Sequence, residues 1–321
     1  MIPTFDMTPK KLKAYRGTNP KPKDFERFWD ASLKEMRALD PKMELVPNHT
    51  IQAPFAECYD MTWTGVGGSR VHAKLLRPKG AVKPHPALCF FHGYSVSSED
   101  WNDKLGYVAS GFTFAAMDCR GQGGSSEDRG GVTGTTLRGH IIRGLDDEPE
   151  KLLFRQIFLD AAQMAGLVMA MPDVDEKRVG AFGGSQGGGL TLACAALEPR
   201  IRRAAPVYPF LSDYQRAWDL GLAKNAYEEL AYYFRRFDPT HEREKEIFTK
   251  LGYIDIQHLA PRIKAEVLMA TALMDEVCPP STQFAVFNKI RSKKRMILYP
   301  DYQHEYLPGF GDKLYPFMMG I

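Results

Sequence analysis

Short apolar runs alternate with amphipathic stretches along most of this chain. Ahead of that alternation, PKDFERFWDASLKEMRAL has helical periodicity among scattered prolines, which predicts an N-terminal arm of residues 1–55 that wraps the rest. ECYDMTWTG and SRVHAKLLRP then have the pattern of two strands, and the VGG between them is typical of a hairpin. We therefore expect antiparallel edge strands at the start of the main domain.

The remaining pattern is one of buried strands separated by helices. The strand-like runs are PALCFFHG, FTFAAMDCRG, KRVGAF, RIRRAAPVYP, AEVLMATALMD and KRMILYP. Helical stretches such as LLFRQIFLDAAQMAGLVMAM lie between them. This alternation predicts an α/β fold with a mostly parallel central sheet and helices on both faces. We interpret residues 1–321 as a single domain, because α/β folds of this length often are one domain with an insertion.

Two stretches interrupt the alternation. Residues 125–150 are polar and glycine-rich, and they are too long for an ordinary connection, which favours a loop that shapes the pocket or a subunit contact. Residues 212–262 have a helical pattern rich in Trp and Tyr, between two sheet strands. We expect this insertion to cover the end of the sheet that carries the functional site.

The composition is that of an ordinary globular protein, with 44% hydrophobic and 25% charged residues. The formal net charge is +3, and no basic block is dense enough for a nucleic-acid-binding face, so we expect no nucleic-acid partner. No apolar run approaches the roughly 18 residues of a membrane span, and the first residues lack the apolar core of a signal peptide. We therefore expect no membrane association and a cytoplasmic location.

The five cysteines are scattered, odd in number and embedded in apolar runs such as ALCFF and TLACAAL. Cysteines in such runs are usually small buried hydrophobes, and their unpaired number fits a reducing compartment. No C-x-x-C pair and no His/Cys cluster with zinc spacing occurs in the sequence. We expect neither a metal nor a cofactor.

The stretch GAFGGSQGGGL places Ser185 between a strand-like run and an apolar helix. Glycines two residues before and after the serine, Gly183 and Gly187, give the G-x-S-x-G pattern of a nucleophile elbow. Glycine at those positions would let the strand and the helix pass closely, with no Cβ between them. The alternative is a glycine-rich loop that happens to contain a serine. The nucleophile elbow is favoured only if the sequence also supplies a base and an acid for Ser185.

Three of the eight histidines follow Ser185: His241, His258 and His304. A serine hydroxyl needs a base to take its proton, and in the elbow-containing folds the order is serine, acid, histidine. His241 lies in the charged run THEREKE and His258 in the insertion, and we expect both to be surface or capping residues. His304 comes just after the last strand, in YPDYQHEYLPGF, and is the predicted base.

Asp275 ends the strand-like run AEVLMATALMD and is the predicted acid. Glu276, one residue further, and Asp301, close in sequence to His304, are the rivals. A carboxylate in this position would hold the imidazole in one tautomer and stabilise the imidazolium.

An oxyanion hole needs two N–H groups aimed at the developing negative charge. One should come from the residue after the nucleophile, Gln186, and the other from the loop FFHGYS after an early strand, at Tyr94. Tyr94 itself and the stretch Tyr208–Phe210, which follows another strand, are the bulky residues that could limit the size of the pocket.

Three motifs in this order resemble a known family. They are RGQG at 120–123, GGSQGG at 183–188 and HE at 304–305. Together they resemble the acetyl xylan esterases and cephalosporin C deacetylases of carbohydrate esterase family seven, over nearly the whole chain. The resemblance implies an α/β-hydrolase fold with a triad and two oxyanion amides on Ser185, Asp275, His304, Tyr94 and Gln186.

The resemblance also implies an intracellular, metal-independent serine carboxylesterase. Its substrates would be acetylated xylo-oligosaccharides and other small acetyl esters, and it would assemble as a homo-oligomer, a hexamer. A serine peptidase of prolyl-oligopeptidase type is a rival, but those enzymes usually carry a larger N-terminal domain than residues 1–55. A non-catalytic binding protein is another rival, which would be expected to have lost a triad residue.

Arg120 and Gln122 of RGQG have two interpretations, as substrate contacts or as structural residues. We favour a buried Arg120 that ties the loop to the end of the sheet. Glu305 is expected to be a supporting hydrogen-bond partner and not the catalytic acid.

Overall fold

One sheet of nine strands forms the centre of the part of the chain that this computed structural model describes, residues 5–129, 131 and 140–321. The strands are β1 (Glu44–Pro47), β2 (Ala56–Thr64), β3 (Arg70–Pro78), β4 (His85–Phe91), β5 (Thr113–Met117), β6 (Val174–Gly184), β7 (Arg203–Val207), β8 (Glu266–Ala272) and β9 (Lys294–Tyr299). Their spatial order is β1-β2-β3-β5-β4-β6-β7-β8-β9. The pairs from β1 to β3 and the β3–β5 pair are antiparallel, and all the others are parallel.

Helices cover both faces of this sheet, as the alternating pattern predicts. They are α1 (Pro9–Ala14), α2 (Phe25–Ala38), α3 (Leu105–Ala109), α4 (Leu153–Met169), α5 (Gln186–Leu197), α6 (Tyr214–Asp219), α7 (Glu228–Phe237), α8 (Glu244–Leu251), α9 (Ile256–Leu259), α10 (Pro280–Lys289) and α11 (Gly311–Met319). On one face, Val108 of α3 and Met318 of α11 pack with Leu88 of β4. On the other face, Cys89 of β4 joins the larger core formed with α2, α4 and α5. Neighbouring residues of β4 thus enter opposite cores, and the strand is apolar from Ala87 to Phe91 because both of its faces pack against apolar side chains there. This is the α/β-hydrolase fold, which confirms the predicted fold class.

The N-terminal arm contributes a strand to the sheet, which the sequence pattern did not indicate. Strand β1 lies within residues 1–55 and pairs antiparallel with β2, from Glu44 opposite Thr62 to Pro47 opposite Tyr59. It is four residues long, mostly exposed and ends in proline. Such a strand has no alternation of apolar and polar residues to reveal it.

The arm is fixed to the body by a buried carboxylate at the start of the insertion. Asp213 accepts hydrogen bonds from the Tyr15 hydroxyl at 2.7 Å and from the Thr18 and Asn19 amides at 2.9 and 2.8 Å. Its own amide donates to Asp255 at 2.9 Å. The predicted insertion of residues 212–262 is helical, containing α6 to α9, and these bonds tie its base to the arm.

Asp118 fixes the start of the long polar loop predicted at residues 125–150. Its carboxylate accepts the amides of Ser98 and Ser125 at 2.7 and 3.0 Å, and His72 lies 2.7 Å away. Burial opposes ionisation of Asp118, but these partners outweigh it and hold the pKa of the carboxyl well below its usual range. Within this predicted loop, residues 130 and 132–139 lie outside the described residues.

Arg120 is completely buried and forms a paired hydrogen bond with Asp160 of α4. The distances are 2.5 Å from Nε and 2.7 Å from Nη2, and Nη1 donates to the carbonyl of Val66 at 2.6 Å. Arg120 thereby joins the loop after β5 to α4 and to the β2–β3 turn. These contacts support the interpretation of Arg120 as a structural residue over its interpretation as a substrate contact.

We expect Arg120→Met to lower the free energy of unfolding by about 3–5 kcal/mol, because it leaves the Asp160 charge buried without a partner. Arg129→Met is the matched control, since the Arg129–Glu127 pair is 61% and 46% exposed and such pairs contribute at most about 1 kcal/mol. Urea denaturation measures both. An Arg120→Met protein with unchanged stability and a raised KM would instead assign Arg120 to substrate binding.

Candidate active site

Ser185 lies at a sharp turn between β6, which ends at Gly184, and α5, which begins at Gln186. Its backbone has φ 57° and ψ −119°, a conformation that costs a non-glycine residue about 1–3 kcal/mol. A Cβ at Gly183 or Gly187 would overlap the carbonyl oxygen of Phe91 at the end of β4. The two glycines of the motif are therefore required by the close approach of β4, β6 and α5.

His304 lies between Ser185 and Asp275 and contacts both. Its Nε2 is 3.0 Å from Ser185 Oγ, and its Nδ1 is 2.8 Å from Asp275 Oδ2. The other carboxylate oxygen of Asp275 accepts the amides of Val277 at 2.9 Å and Cys278 at 2.8 Å. The aspartate is fully buried, and these three partners satisfy its two carboxyl oxygens.

Asp275 lies three residues beyond the end of β8 and not at the end of the strand. The apolar run continues past Ala272, but the chain has already left the strand pairing. The amides of Leu273 and Met274 instead bond to the carbonyls of Tyr299 and Tyr302, beyond β8. This short segment brings the carboxylate of Asp275 to Nδ1 of His304.

In the described part of the chain, the other candidates for the catalytic acid do not contact His304. Glu276 and Asp301 are exposed. Glu305 is also exposed, and its carboxylate accepts the Gln303 amide at 3.0 Å within its own turn. Glu305 is thus a hydrogen-bond partner within its own turn. Among the described carboxylates, that of Asp275 contacts His304.

The two other downstream histidines are held elsewhere. His241 is exposed and lies 2.9 Å from Glu244. His258 is buried, and burial together with nearby lysines lowers its pKa to about 3. The expectation of a surface or capping position is therefore wrong for His258, which packs edge-on against the Phe25 ring of the arm.

The two predicted oxyanion residues follow β4 and begin α5. Tyr94 lies three residues beyond the end of β4, and Gln186 is the first residue of α5. First-turn amides have no acceptor within their own helix, so the Gln186 N–H can bind an anion at the helix N-terminus. The loop before Tyr94 is fixed by His92, which donates from Nδ1 to the Gly93 carbonyl at 2.6 Å and accepts the Cys119 amide on Nε2 at 3.0 Å. This pattern, together with a pKa lowered by burial, keeps His92 neutral.

A pair of glutamine side chains joins the elbow to the loop of residues 93–95, which we call the oxyanion loop. The amide groups of Gln122 and Gln186 bond reciprocally at 2.9 and 3.0 Å. Gln122 Oε1 also accepts the Ser95 amide at 2.9 Å, and Gln186 Nε2 donates to the Gly93 carbonyl at 3.2 Å. Gln122 is therefore part of the support of the site, a role that its place in the RGQG motif signals only indirectly.

Aromatic side chains surround the serine and connect it to the insertion. The Tyr208 ring centre is 4.5 Å from that of His304. Phe210 packs edge-on against Tyr94 at 5.8 Å and against Tyr227 of the insertion at 4.6 Å. The insertion thus reaches the oxyanion loop, as expected from the sequence.

One group in the described residues has the donor set of a metal site: Asp275, Cys278 and His304, whose ligand atoms all lie within 4.8 Å of one another. The hydrogen bonds of Asp275 and His304 already occupy those atoms. Burial and the nearby Asp275 charge raise the pKa of the Cys278 thiol well above its usual value, so it is protonated. A metal ion would have to displace these protons to bind there.

A strained serine, a histidine and a buried aspartate lie together in this α/β-hydrolase fold, an arrangement typical of serine hydrolases. The acetyl xylan esterase (AXE1) family model matches residues 2–321. The chain belongs to this family, and it is a carboxylic ester hydrolase. No helix in the described part of the chain is both long and apolar enough to cross a membrane.

Three known proteins illustrate the similarity. The crystal structure of acetyl xylan esterase 1 from Thermoanaerobacterium sp. is 63% identical, with a TM-score of 0.97 over 98% of this chain and 99% of that one. An acetyl xylan esterase from Paenibacillus sp. is 34% identical, with a TM-score of 0.93 and the same coverage. The acetyl esterase Axe7A of Xylanibacter ruminicola is 28% identical over 92% of this chain, which spans 66% of that protein's length.

The cluster of Asp275, Cys278 and His304 predicts sensitivity to soft metal ions. We expect Cd²⁺ to inhibit ester hydrolysis reversibly, and Cys278→Ala to raise the half-inhibitory concentration at least about tenfold, because it removes the softest ligand. The substitution leaves the backbone amide that Asp275 accepts. Cys194→Ala, a change in the buried thiol of α5, should leave the sensitivity unchanged. Equal inhibition of the Cys278→Ala protein would mean that Cd²⁺ binds elsewhere.

Proposed function

We propose that this protein is a serine esterase that removes acetyl groups from acetylated xylo-oligosaccharides and from other small acetyl esters, including cephalosporin C-like compounds. The observation that carries the proposal is the contact of His304 with Ser185 at 3.0 Å and with buried Asp275 at 2.8 Å, at the strained elbow. The family and the names of the similar proteins support the acetyl ester as substrate.

In the first half of the reaction, Ser185 Oγ attacks the acetyl carbonyl carbon while His304 Nε2 takes the hydroxyl proton. The carbonyl oxygen becomes an oxyanion, which accepts hydrogen bonds from the backbone amides of Tyr94 and Gln186. Collapse of this tetrahedral species breaks the bond to the sugar oxygen, which receives the proton from His304. The acetyl group remains as an ester of Ser185.

In the second half, a water molecule attacks the acetyl-enzyme. His304 Nε2 takes a proton from the water, the same amides stabilise the second oxyanion, and the proton returns to Ser185 Oγ as acetate leaves. Asp275 remains ionised throughout and stabilises the imidazolium through Nδ1. No step requires a metal or a cofactor.

Selection of acetyl over longer acyl groups must come from steric exclusion. Burying one methyl group stabilises binding by at most about 1 kcal/mol, which is too little to distinguish acyl groups by attraction. Tyr208 beside His304 and Phe210 against Tyr94 are the bulky side chains next to the reacting atoms. We propose that they form the wall that stops a longer chain.

We further propose a homo-oligomer, a hexamer by family resemblance, in the cytoplasm. The cytoplasmic proposal is supported by the five buried cysteines, which are all unpaired. Light scattering, with a particle mass well above the 36.2 kDa of one chain, and cell fractionation test the two proposals. A 36.2 kDa particle would reject the first.

Loss of a triad side chain should abolish turnover without unfolding the protein. We expect Ser185→Ala and His304→Ala to lower kcat on an acetyl ester by about 10⁴–10⁶-fold, because triad residues act as a unit, and Asp275→Asn by about 10⁴-fold. His258→Ala, the matched change of a buried histidine in the insertion, should retain far more activity. An organophosphorus reagent should inactivate the parent protein, and EDTA should not. High activity of His304→Ala would show that the base is another residue.

The wall predicts a steep dependence on acyl length. We expect acetyl esters to be turned over well ahead of butyryl esters and far ahead of octanoyl esters, since each excluded methylene costs about 1–3 kcal/mol. Tyr208→Ala should raise the butyryl-to-acetyl ratio of kcat/KM by about tenfold or more. Tyr306→Ala, at a tyrosine that is 79% exposed, is the control and should leave the ratio unchanged. A parent protein that prefers octanoyl esters would contradict the wall.

A further inference from the structure

Glu229 of α7 is a buried acidic residue in the insertion, and within the described part of the chain its side chain bonds to backbone amides and to no positive side chain. Its Oε2 accepts the amides of Ile141 at 2.7 Å and Ile142 at 3.2 Å. The residue is 4% exposed, and burial raises the pKa of its carboxyl to about 8 despite these bonds. Burying a carboxyl group costs free energy. The reason for burying Glu229 is therefore to be sought in the backbone that it holds.

The backbone that Glu229 holds leads directly to the oxyanion loop. His140 immediately precedes the two bonded amides, and its Nε2 lies 2.9 Å from Ser95 Oγ. Its ring packs edge-on against Tyr94, with 4.9 Å between the ring centres. Burial and the charge of Arg143 lower the pKa of His140 to about 4, so a neutral imidazole makes these contacts at neutral pH.

The oxyanion loop is therefore fixed from two sides. The glutamine pair holds it from the side of the elbow, through the Ser95 amide and the Gly93 carbonyl. His140 holds it from the side of the insertion, through the Ser95 hydroxyl and the Tyr94 ring. The amide between these anchors, that of Tyr94, is one of the two proposed oxyanion donors.

We propose that Glu229 is a positioning residue for the reaction: by fixing residues 140–142, it holds His140 against the oxyanion loop and so places the Tyr94 amide. This rests on the proposed esterase function and adds a residue of the inserted helices to it. Glu229 touches neither substrate nor the reacting atoms, and its effect passes through the oxyanion donor alone. Substrate in the ground state needs that donor little, whereas the tetrahedral intermediate needs it fully.

The test compares Glu229→Ala with Glu229→Gln. The glutamine retains an oxygen that can accept both amides, and the alanine does not. We expect Glu229→Ala to lower kcat about 10- to 100-fold with KM within about threefold, because a displaced oxyanion donor costs transition-state stabilisation. Affinity for a boronic acid, whose tetrahedral adduct with Ser185 mimics the intermediate, should fall in parallel. Glu229→Gln should restore kcat to within a few-fold, and Glu228→Ala, at the exposed neighbour, is the control for general effects on α7.

A second variant keeps the proposal testable if Glu229→Ala does not fold. His140→Phe retains a ring against Tyr94 but loses the contact with Ser95, and we expect the same selective fall in kcat and in boronic acid affinity. The double variant should be little worse than either single one, because both act through one connection. Normal kcat in folded Glu229→Ala and His140→Phe proteins would overturn the proposal. If an organophosphorus reagent still labels Ser185 in the parent, such a result leaves the serine esterase function standing; failure to label would reject that function instead.

Discussion

The close approach of the Phe91 carbonyl oxygen to Gly183 and Gly187 is the constraint on which the site depends. It brings the end of β4 against the junction of β6 and α5, where no Cβ fits. Because the chain leaves β4 at this point, the oxyanion loop emerges beside the N-terminus of α5. The strained backbone of Ser185 and the placement of the two proposed oxyanion amides thus have a single cause, the packing of two strands and one helix with no side chains between them.

Neutral side chains make the hydrogen bonds that hold the oxyanion loop. His92, His140 and the two glutamines bind the loop as uncharged donors and acceptors. A fixed cation there would bind anions, including the acetate product, in the ground state, whereas backbone amides and the helix N-terminus act most strongly on the oxyanion. The negative charge of Asp275 lies on the far side of His304, where it stabilises the imidazolium instead of opposing the oxyanion.

The sequence pattern was sufficient where short-range rules determine the structure. Apolar runs placed the central strands, and the glycine spacing with chain order singled out Ser185 and His304 and favoured Asp275 over Glu276. It was insufficient where the deciding contact is distant in sequence. The β1 strand is recognisable only by its pairing with β2, and the burial of His258 follows from its packing against the arm. Glu229 and the amide of Ile141 are 88 residues apart, so no local pattern links them.

The insertion acts on the oxyanion loop through two kinds of contact that come from one short segment. Tyr227 packs on Phe210, which packs on Tyr94. A displacement of Tyr227 would therefore reach the Tyr94 ring through these aromatic contacts. Glu229, two residues later, binds the backbone next to His140, and His140 contacts Ser95. These hydrogen bonds connect the position of Glu229 to that of the oxyanion loop. Both end on the same loop, so under the proposed function a change in the inserted helices that alters which acyl groups fit should also move the proposed oxyanion donor at Tyr94. We therefore expect size selection and rate to be coupled in this site, so that a change in the insertion alters kcat as well as substrate range even when Ser185, His304 and Asp275 are unchanged.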